Sequence, residues 1–164
     1  MYSYPLLYFK QIVKALGYVP SGMKTVLRNS VVNQTAAYAD VTGLSFPVKA
    51  GTTYAFTFFI VYDLLDALNG SAWSINGPAV TSLAYMSKYS SDTPSGSANY
   101  FGLSAYNLPA STTTKTASTT ANIATIQGVI KPSASGTVIA RFMSEQANHN
   151  LTAKAGSYVE YMEL

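Results

Sequence analysis

Apolar and polar positions alternate along most of this chain with a period of two. The clearest stretch runs from Val41 to Tyr62 (VTGLSFPVKAGTTYAFTFFIVY). Within it, Tyr54, Phe56, Phe58, Ile60 and Tyr62 fall on one side of the pleat, and Ala55, Thr57, Phe59 and Val61 on the other. Both sides are largely apolar, which predicts a strand covered on both faces, in the middle of a sandwich or at a subunit contact. Further strands are predicted over 24–28, 38–41, 44–48, a short segment holding Trp73 and Ile75, 81–88, 100–106, 123–130, 137–143 and 158–164. Pro47 suggests an edge position. Asn69-Gly70 and Asn76-Gly77 bracket the Trp73 strand as turns, and 123–130 and 137–143 read as a hairpin across residues 131–136. A Lys-Ala-Gly turn ahead of the long strand (Lys49-Ala50-Gly51-Thr52) recurs as Lys154-Ala155-Gly156-Ser157.

The first 23 residues differ. Leu6, Leu7, Phe9, Ile12, Val13 and Leu16 make an apolar helical face over 4–16, with Pro5 in the first turn and Gly17 as a stop. A helix of that length is marginal alone and must pack on something. From residue 24 onward only strands and turns are predicted, with surface loops at 89–98 and 110–120. Closely spaced strands without intervening helices predict an all-β fold: an antiparallel, jelly-roll-like β-sandwich over 24–164 preceded by an N-terminal arm or helix over 1–23, with an immunoglobulin-like sandwich as the alternative.

Composition narrows the function classes. At 164 residues the chain fits one domain, and its charged content of 10% is far below the roughly 25% usual for soluble domains. A surface so poor in charge suits extensive protein contact. The net charge of +3 is too weak to argue nucleic-acid binding, and neither a signal peptide nor a membrane span is expected. Lys10, Lys14, Lys24 and Arg28 all precede the first acid, Asp40, so the lead-in is cationic and Tyr-rich: a solvated terminus, or an arm that docks on an acidic surface.

Candidate chemistry is sparse. There is no cysteine, and His149 is the lone histidine, read as an exposed loop residue. Asp63 and Asp66, just past a strand end, read as turn or capping residues rather than a catalytic carboxylate pair. No nucleophile elbow or phosphate loop occurs. The expectation is therefore no enzyme, no cofactor and no metal. Asn33, Asn69 and Asn150 match the glycosylation acceptor pattern. Among the aromatics, Tyr54, Phe56, Phe58, Phe59 and Tyr62 are candidates for a subunit interface. Trp73, Tyr89, Tyr100 and Tyr106, near predicted loops, are candidates for exposed contact with a glycan, although core or interface is the plainer role.

Five blocks carry a family resemblance: residues 41–54, 73–79 (WSINGPA), 102–106 (GLSAY), 126–137 (IQGVIKPSASGT) and 152–157 (TAKAGS). In order and spacing they resemble a β-sandwich domain of tailed-bacteriophage virion proteins, found in capsid decoration (cement) proteins and in some tail-associated proteins. The resemblance covers roughly residues 24–164. It implies a jelly-roll-like module, often trimeric, on the outer surface of a particle, with the major capsid protein as partner and no active site. The segment before it, with Tyr4, Tyr8, Lys10, Lys14, Lys24 and Arg28, would then be an arm contacting the capsid. The alternative is a tail-associated module binding a glycan or receptor.

Overall fold

The computed structural model describes residues 22–92, 96–116 and 118–164. The predicted helix over 4–16 and the arm residues Tyr4, Tyr8, Lys10 and Lys14 lie outside them. Among the described residues, regular structure is entirely strand: β1 (Met23–Val26), β2 (Val31–Asn33), β3 (Ala39–Val48), β4 (Tyr54–Leu64), β5 (Ser71–Asn76), β6 (Val80–Ser90), β7 (Ser97–Leu103), β8 (Asn122–Pro132), β9 (Gly136–Ser144), β10 (Leu151–Ala153) and β11 (Tyr158–Glu163).

The strands form two antiparallel sheets. A large, eight-stranded sheet follows the order β1-β11-β4-β8-β6-β7, with β10 beside β4 and β2 beside β10. A small, three-stranded sheet follows β3-β9-β5. The chain passes from one sheet to the other between β2 and β3, β3 and β4, β4 and β5, β5 and β6, β8 and β9, and β9 and β10. This alternation is the jelly-roll-like β-sandwich that the periodicity predicts. Pro47 lies on β3, an edge strand of the small sheet, where a missing N–H costs no ladder bond.

Bulky side chains decide which face of each strand turns inward. On β4 the set Tyr54, Phe56, Phe58, Ile60, Tyr62 and Leu64 is buried, while Ala55, Thr57, Phe59, Val61 and Asp63 are half-buried on the outside. Four of the five residues expected at a subunit interface, Tyr54, Phe56, Phe58 and Tyr62, therefore belong to the chain's own core; only Phe59 faces out. The two sheets are joined by aromatic contacts. Phe46 on the small sheet meets Tyr161 (ring centroids 4.5 Å), Phe56 (5.8 Å) and Phe58 (6.0 Å) on the large one. Trp73 stacks between Tyr62 (4.7 Å) and Phe142 (5.4 Å).

Several sequence expectations change. The segments 38–41 and 44–48 are one strand, β3, interrupted by a register shift between Asp40 and Ser45 where Gly43 takes φ of 91°. β8 and β9 are not a hairpin: β8 pairs with β4 and β6, whereas β9 lies in the other sheet between β3 and β5. The three-residue strands β2 and β10 were not predicted. They pair with each other, and β10 also continues the line of β11 along β4. The second Lys-Ala-Gly turn leads into β11, as the first leads into β4, and separates β11 from β10 along the same edge of β4. Both copies share one geometry, with an N–H bond back over three residues (Thr52 to Lys49, 3.3 Å; Ser157 to Lys154, 3.2 Å) and positive φ at Gly51 and Gly156.

The Thr-rich segment after β7 is the surface loop expected from the sequence, largely exposed, and with the residues before it runs as a strap along the free edge of β5. The Asn107 amide donates to the Ile75 carbonyl (3.2 Å) and the Thr113 amide to the Ser71 carbonyl (3.0 Å). The Ser71 amide donates to Thr113 Oγ1 (3.1 Å), and buried Thr116 donates to Asn122 Oδ1 (3.0 Å). The strap thereby closes an edge that would otherwise be open to pairing. Its passage requires glycine at 70, because a Cβ there would overlap the Thr113 carbonyl. Gly70→Ala is expected to destabilise the fold by about 1–3 kcal/mol, read as a lower urea midpoint.

Candidate functional site

The four aromatics proposed for exposed contact do not form a binding platform. Trp73 and Tyr89 are buried, at 0% and 1% exposure. Trp73 sits on β5 with both faces covered, and its Nε1 donates to Ser71 Oγ (3.2 Å). Tyr89 stacks on half-buried Tyr100 at 5.5 Å. Tyr106, also half-buried, donates its hydroxyl to the Pro78 carbonyl (2.6 Å). All four thus serve in the interior or its margin.

The small sheet covers only part of the large one: β5 meets β6 through Ser74–Tyr85 and Ser87–Trp73, and irregular backbone around 105–109 packs beside it. Tyrosine hydroxyls donate to the carbonyls of that backbone, Tyr38 to Pro109 (2.7 Å) and Tyr85 within 2.9 Å of both Ala105 and Leu108, while Tyr62 donates to Ser90 at the end of β6 (3.2 Å). Arg141 ties the strap to β3, donating from Nη1 to Asn107 Oδ1 (2.7 Å) and from Nη2 to the Tyr38 carbonyl (2.7 Å), with Nε 2.7 Å from Asp40 Oδ1.

The charged candidates are engaged locally. Asp66 accepts the Leu68 amide through Oδ1 (2.9 Å) and meets His149 Nδ1 through Oδ2 (2.8 Å), so His149 is a half-buried, partnered residue rather than an exposed one. Asp63 accepts the Ala121 amide (3.1 Å) and pairs with Lys154 (2.8 Å). Among the described residues, no group of three or more His, Cys, Asp or Glu is placed to hold a metal ion. Asn33 and Asn69 are buried and donate inward, to the Phe142 carbonyl (2.8 Å) and Ser144 Oγ (2.8 Å), so neither sequon is presented for glycosylation.

The surface with the most distinctive character is the outer face of the large sheet. The register places Met162, Ala55, Val129 and Ala84 in one row across β11, β4, β8 and β6. Next to it lie Lys24, Glu160, Thr57, Gln127 and Met86, and then Val26, Tyr158, Phe59, Thr125 and Lys88. Alternation puts all of them opposite the core. Phe101 on β7 is 69% exposed, and Val26, Val129 and Ile123 are each above 40%. The first two rows border a shallow depression of about 700 Å³ lined by Ala55, Thr57, Met86, Gln127, Val129 and Met162. Sequence reasoning missed this face because it weighed aromatic rings above the alanines, valine and methionines that compose it. The signal was present in the second apolar side of β4.

Charge on this face is spread: the Lys24–Glu160 pair lies at the β1–β11 margin, with Lys88 on β6, Lys131 on β8 and Asp63 on β4. Lys24 lies 3.5 Å from Glu160 and 3.7 Å from the Tyr158 ring, which stacks on Phe59 at 5.5 Å. Arg28 is exposed in the loop after β1.

No protein-family model matches the chain, and no curated protein is significantly similar to it. Among solved structures, it is similar over 87% of its length to a chain of the infectious bursal disease virus Gx strain structure, at 10% identity and a TM-score of 0.31. It is similar over 89% of its length to a chain of the infectious bursal disease virus VP2 subviral particle, at 12% identity and a TM-score of 0.19. It spans 39% and 42% of those chains' lengths.

Burial raises the phenol pKa values of Tyr38, Tyr62, Tyr85 and Tyr89; that of Tyr106 is pushed up to about 12, first by burial and then by the Tyr85 phenol. Unfolded tyrosine ionises near 10. The neutral phenols therefore stabilise the fold fully below pH 10, and that contribution is lost as pH rises through the folded values. The urea midpoint is expected to fall between pH 10 and about 12, and phenolate absorbance to rise in two stages, the second coincident with loss of β-sheet circular dichroism.

Proposed function

We propose that the chain is a structural component of a virion, of the capsid-decoration type, which acts by burying surface against its neighbours. The observation that carries this reading is the outer face of the large sheet: broad, shallow, with the apolar row Met162, Ala55, Val129 and Ala84, exposed Val26 and Phe101, and the Lys24–Glu160 pair and Arg28 at one margin. The low charge content and the family resemblance of residues 24–164 support the same reading. Its partner would be the major capsid protein, with the decoration protein on the outer surface, assembled as a homotrimer and bridging capsid subunits. Residues 1–28, with Tyr4, Tyr8, Lys10, Lys14, Lys24 and Arg28, would supply a basic contact beside the sheet face.

The mechanism needs area and repetition. Apolar surface removed from water contributes about 25 cal/mol per Å², and linking several capsid subunits through one trimer multiplies the effect by raising the effective concentration of each contact. A flat face with few charges suits this because little desolvation of ions opposes docking. Phe59, Val129 and Met162 are the side chains such a contact would cover first.

Val129→Glu places a charge on this face without touching the core. Purified particles decorated with the wild-type chain and with Val129→Glu are expected to differ at least tenfold in bound protein, and the variant particles to release genome at a lower temperature. Equal occupancy with equal release temperature would remove the sheet face from the assembly surface.

A further inference from the structure

A sheet edge presents N–H and C=O groups that another strand can pair with, and folds commonly guard such edges with charge, proline, a bulge or shortness. Among the described residues, four edges are guarded. β1 carries Lys24, β2 has only three residues, β3 holds Pro47 and the register shift between Asp40 and Ser45, and β5 is bordered by the strap. β7 is different. It ends the large sheet beyond β6, and among the described residues no strand lies on its far side. The strand holds no proline, and no charged residue occurs from 93 to 114. Its pairing with β6 is regular from Ser97 to Tyr100, and the register shift comes only afterwards, before Leu103, where Gly102 takes φ of 66°.

The direction of the free groups follows from one bond. The Ser91 amide donates to the Gly96 carbonyl (3.2 Å). By alternation, the backbone groups of Ala98 and Tyr100 also turn toward β6, and those of Asn99 turn toward the open edge. Asn99 is exposed, and its carboxamide reaches Ser97 Oγ of its own strand (3.3 Å).

We propose that β7 is a self-pairing edge: two copies of the chain join antiparallel through β7, about a twofold axis at Asn99. Each Asn99 then gives its N–H to the other's carbonyl and receives the same bond in return. The two carboxamides lie side by side, each able to donate and to accept, and each exposed Phe101 is brought beside the other copy's strand. Charge favours a second copy as the occupant. A neutral strand meets no like charge in its own image, and it offers no ion partner to a basic or acidic strand of another protein. Asp92, ahead of the strand, is paired with Lys115 at 3.6 Å. Lys88 lies opposite Asn99 on β6, so the two Lys88 residues would stand three strand spacings, about 14 Å, apart, beyond a screening length of about 10 Å.

This pairing uses the edge and leaves the outer face open. A twofold axis perpendicular to the sheet keeps both outer faces on the same side, where their apolar rows lie in one wider surface. It goes beyond the virion reading, is a different contact from the homotrimer, and depends on neither. A single strand edge is a small interface, so association is expected to be weak.

Sedimentation equilibrium of the full chain from about 10 μM to about 0.5 mM brackets such an affinity. The average mass is expected to rise with concentration. Asn99→Lys, which sets like charges against each other at the axis, is expected to weaken self-association at least tenfold, with circular dichroism and the urea midpoint unchanged. The chain contains no cysteine, so Asn99→Cys supplies a single thiol. Opposed residues about 5.5 Å apart are within disulfide reach. Air oxidation is therefore expected to link Asn99→Cys chains into dimers far faster than Val32→Cys chains, whose thiol sits at an exposed position on β2. A chain that stays monomeric across the range would overturn the proposal and leave the edge to a strand of another protein. Self-association that Asn99→Lys leaves unchanged, or equal cross-linking of the two cysteine variants, would overturn it as well. Capsid occupancy enters none of these readouts, so failure here is distinct from failure of the virion reading.

Discussion

A sheet of three strands cannot cover a sheet of eight, and much of this molecule follows from that mismatch in width. Phe46 and Trp73 bring the small sheet down on β4, β11 and their neighbours. β5 reaches β6 through Ser74–Tyr85 and Ser87–Trp73, and the large sheet extends past it toward β7. Irregular backbone fills the gap, and irregular backbone brings carbonyls that no ladder satisfies. Tyrosine answers both needs: its ring supplies apolar area, and its hydroxyl reaches a carbonyl at the far side. Tyr38, Tyr85 and Tyr106 do this, so tyrosines that suggest sugar-stacking when counted instead help to close a lopsided sandwich.

The same mismatch explains which parts of the fold were legible in the sequence. β4, β6, β8 and β9 announce themselves because each carries a long period-two pattern imposed by one buried face. The inward side of β4 was harder to assign, since both sides are apolar; bulk settles it, with Tyr54, Phe56, Phe58 and Tyr62 inward and Ala55, Thr57 and Val61 outward, Phe59 being the one ring on the outer side. Trp73 looked superficial because turns flank its short strand, yet it packs against Tyr62 and Phe142 and bonds to Ser87, on strands distant in sequence. A hairpin and a crossover between sheets share the same local signature of strand, Pro/Gly turn, strand. The path from β8 to β9 therefore could be identified only from the pairing partners. β2 and β10 are too short to show any period.

The candidate site was legible in part. The second apolar side of β4 was visible in the sequence, and it is the surface that remains when the core is complete. Its companions on β6, β8 and β11 were hidden because a row across a sheet gathers residues from four distant segments. Trp73, Tyr89, Tyr100 and Tyr106 drew attention through size alone. Lys24 and Arg28 were grouped by their sequence position, and the fold adds that Lys24 is held over Tyr158 and against Glu160.

The strap carries a further consequence. Written out, Ala-Ser-Thr-Thr-Thr-Lys-Thr-Ala-Ser-Thr-Thr is nearly free of information, and its letters look interchangeable. In the folded chain Thr113 is bound at β5, Thr116 is buried against Asn122, and the Thr119 carbonyl receives the Leu64 amide. Thr114 and Thr120 are exposed. The side chains that carry meaning in the tract are those of Thr113 and Thr116, and a permutation that preserves its composition but displaces either would erase its message.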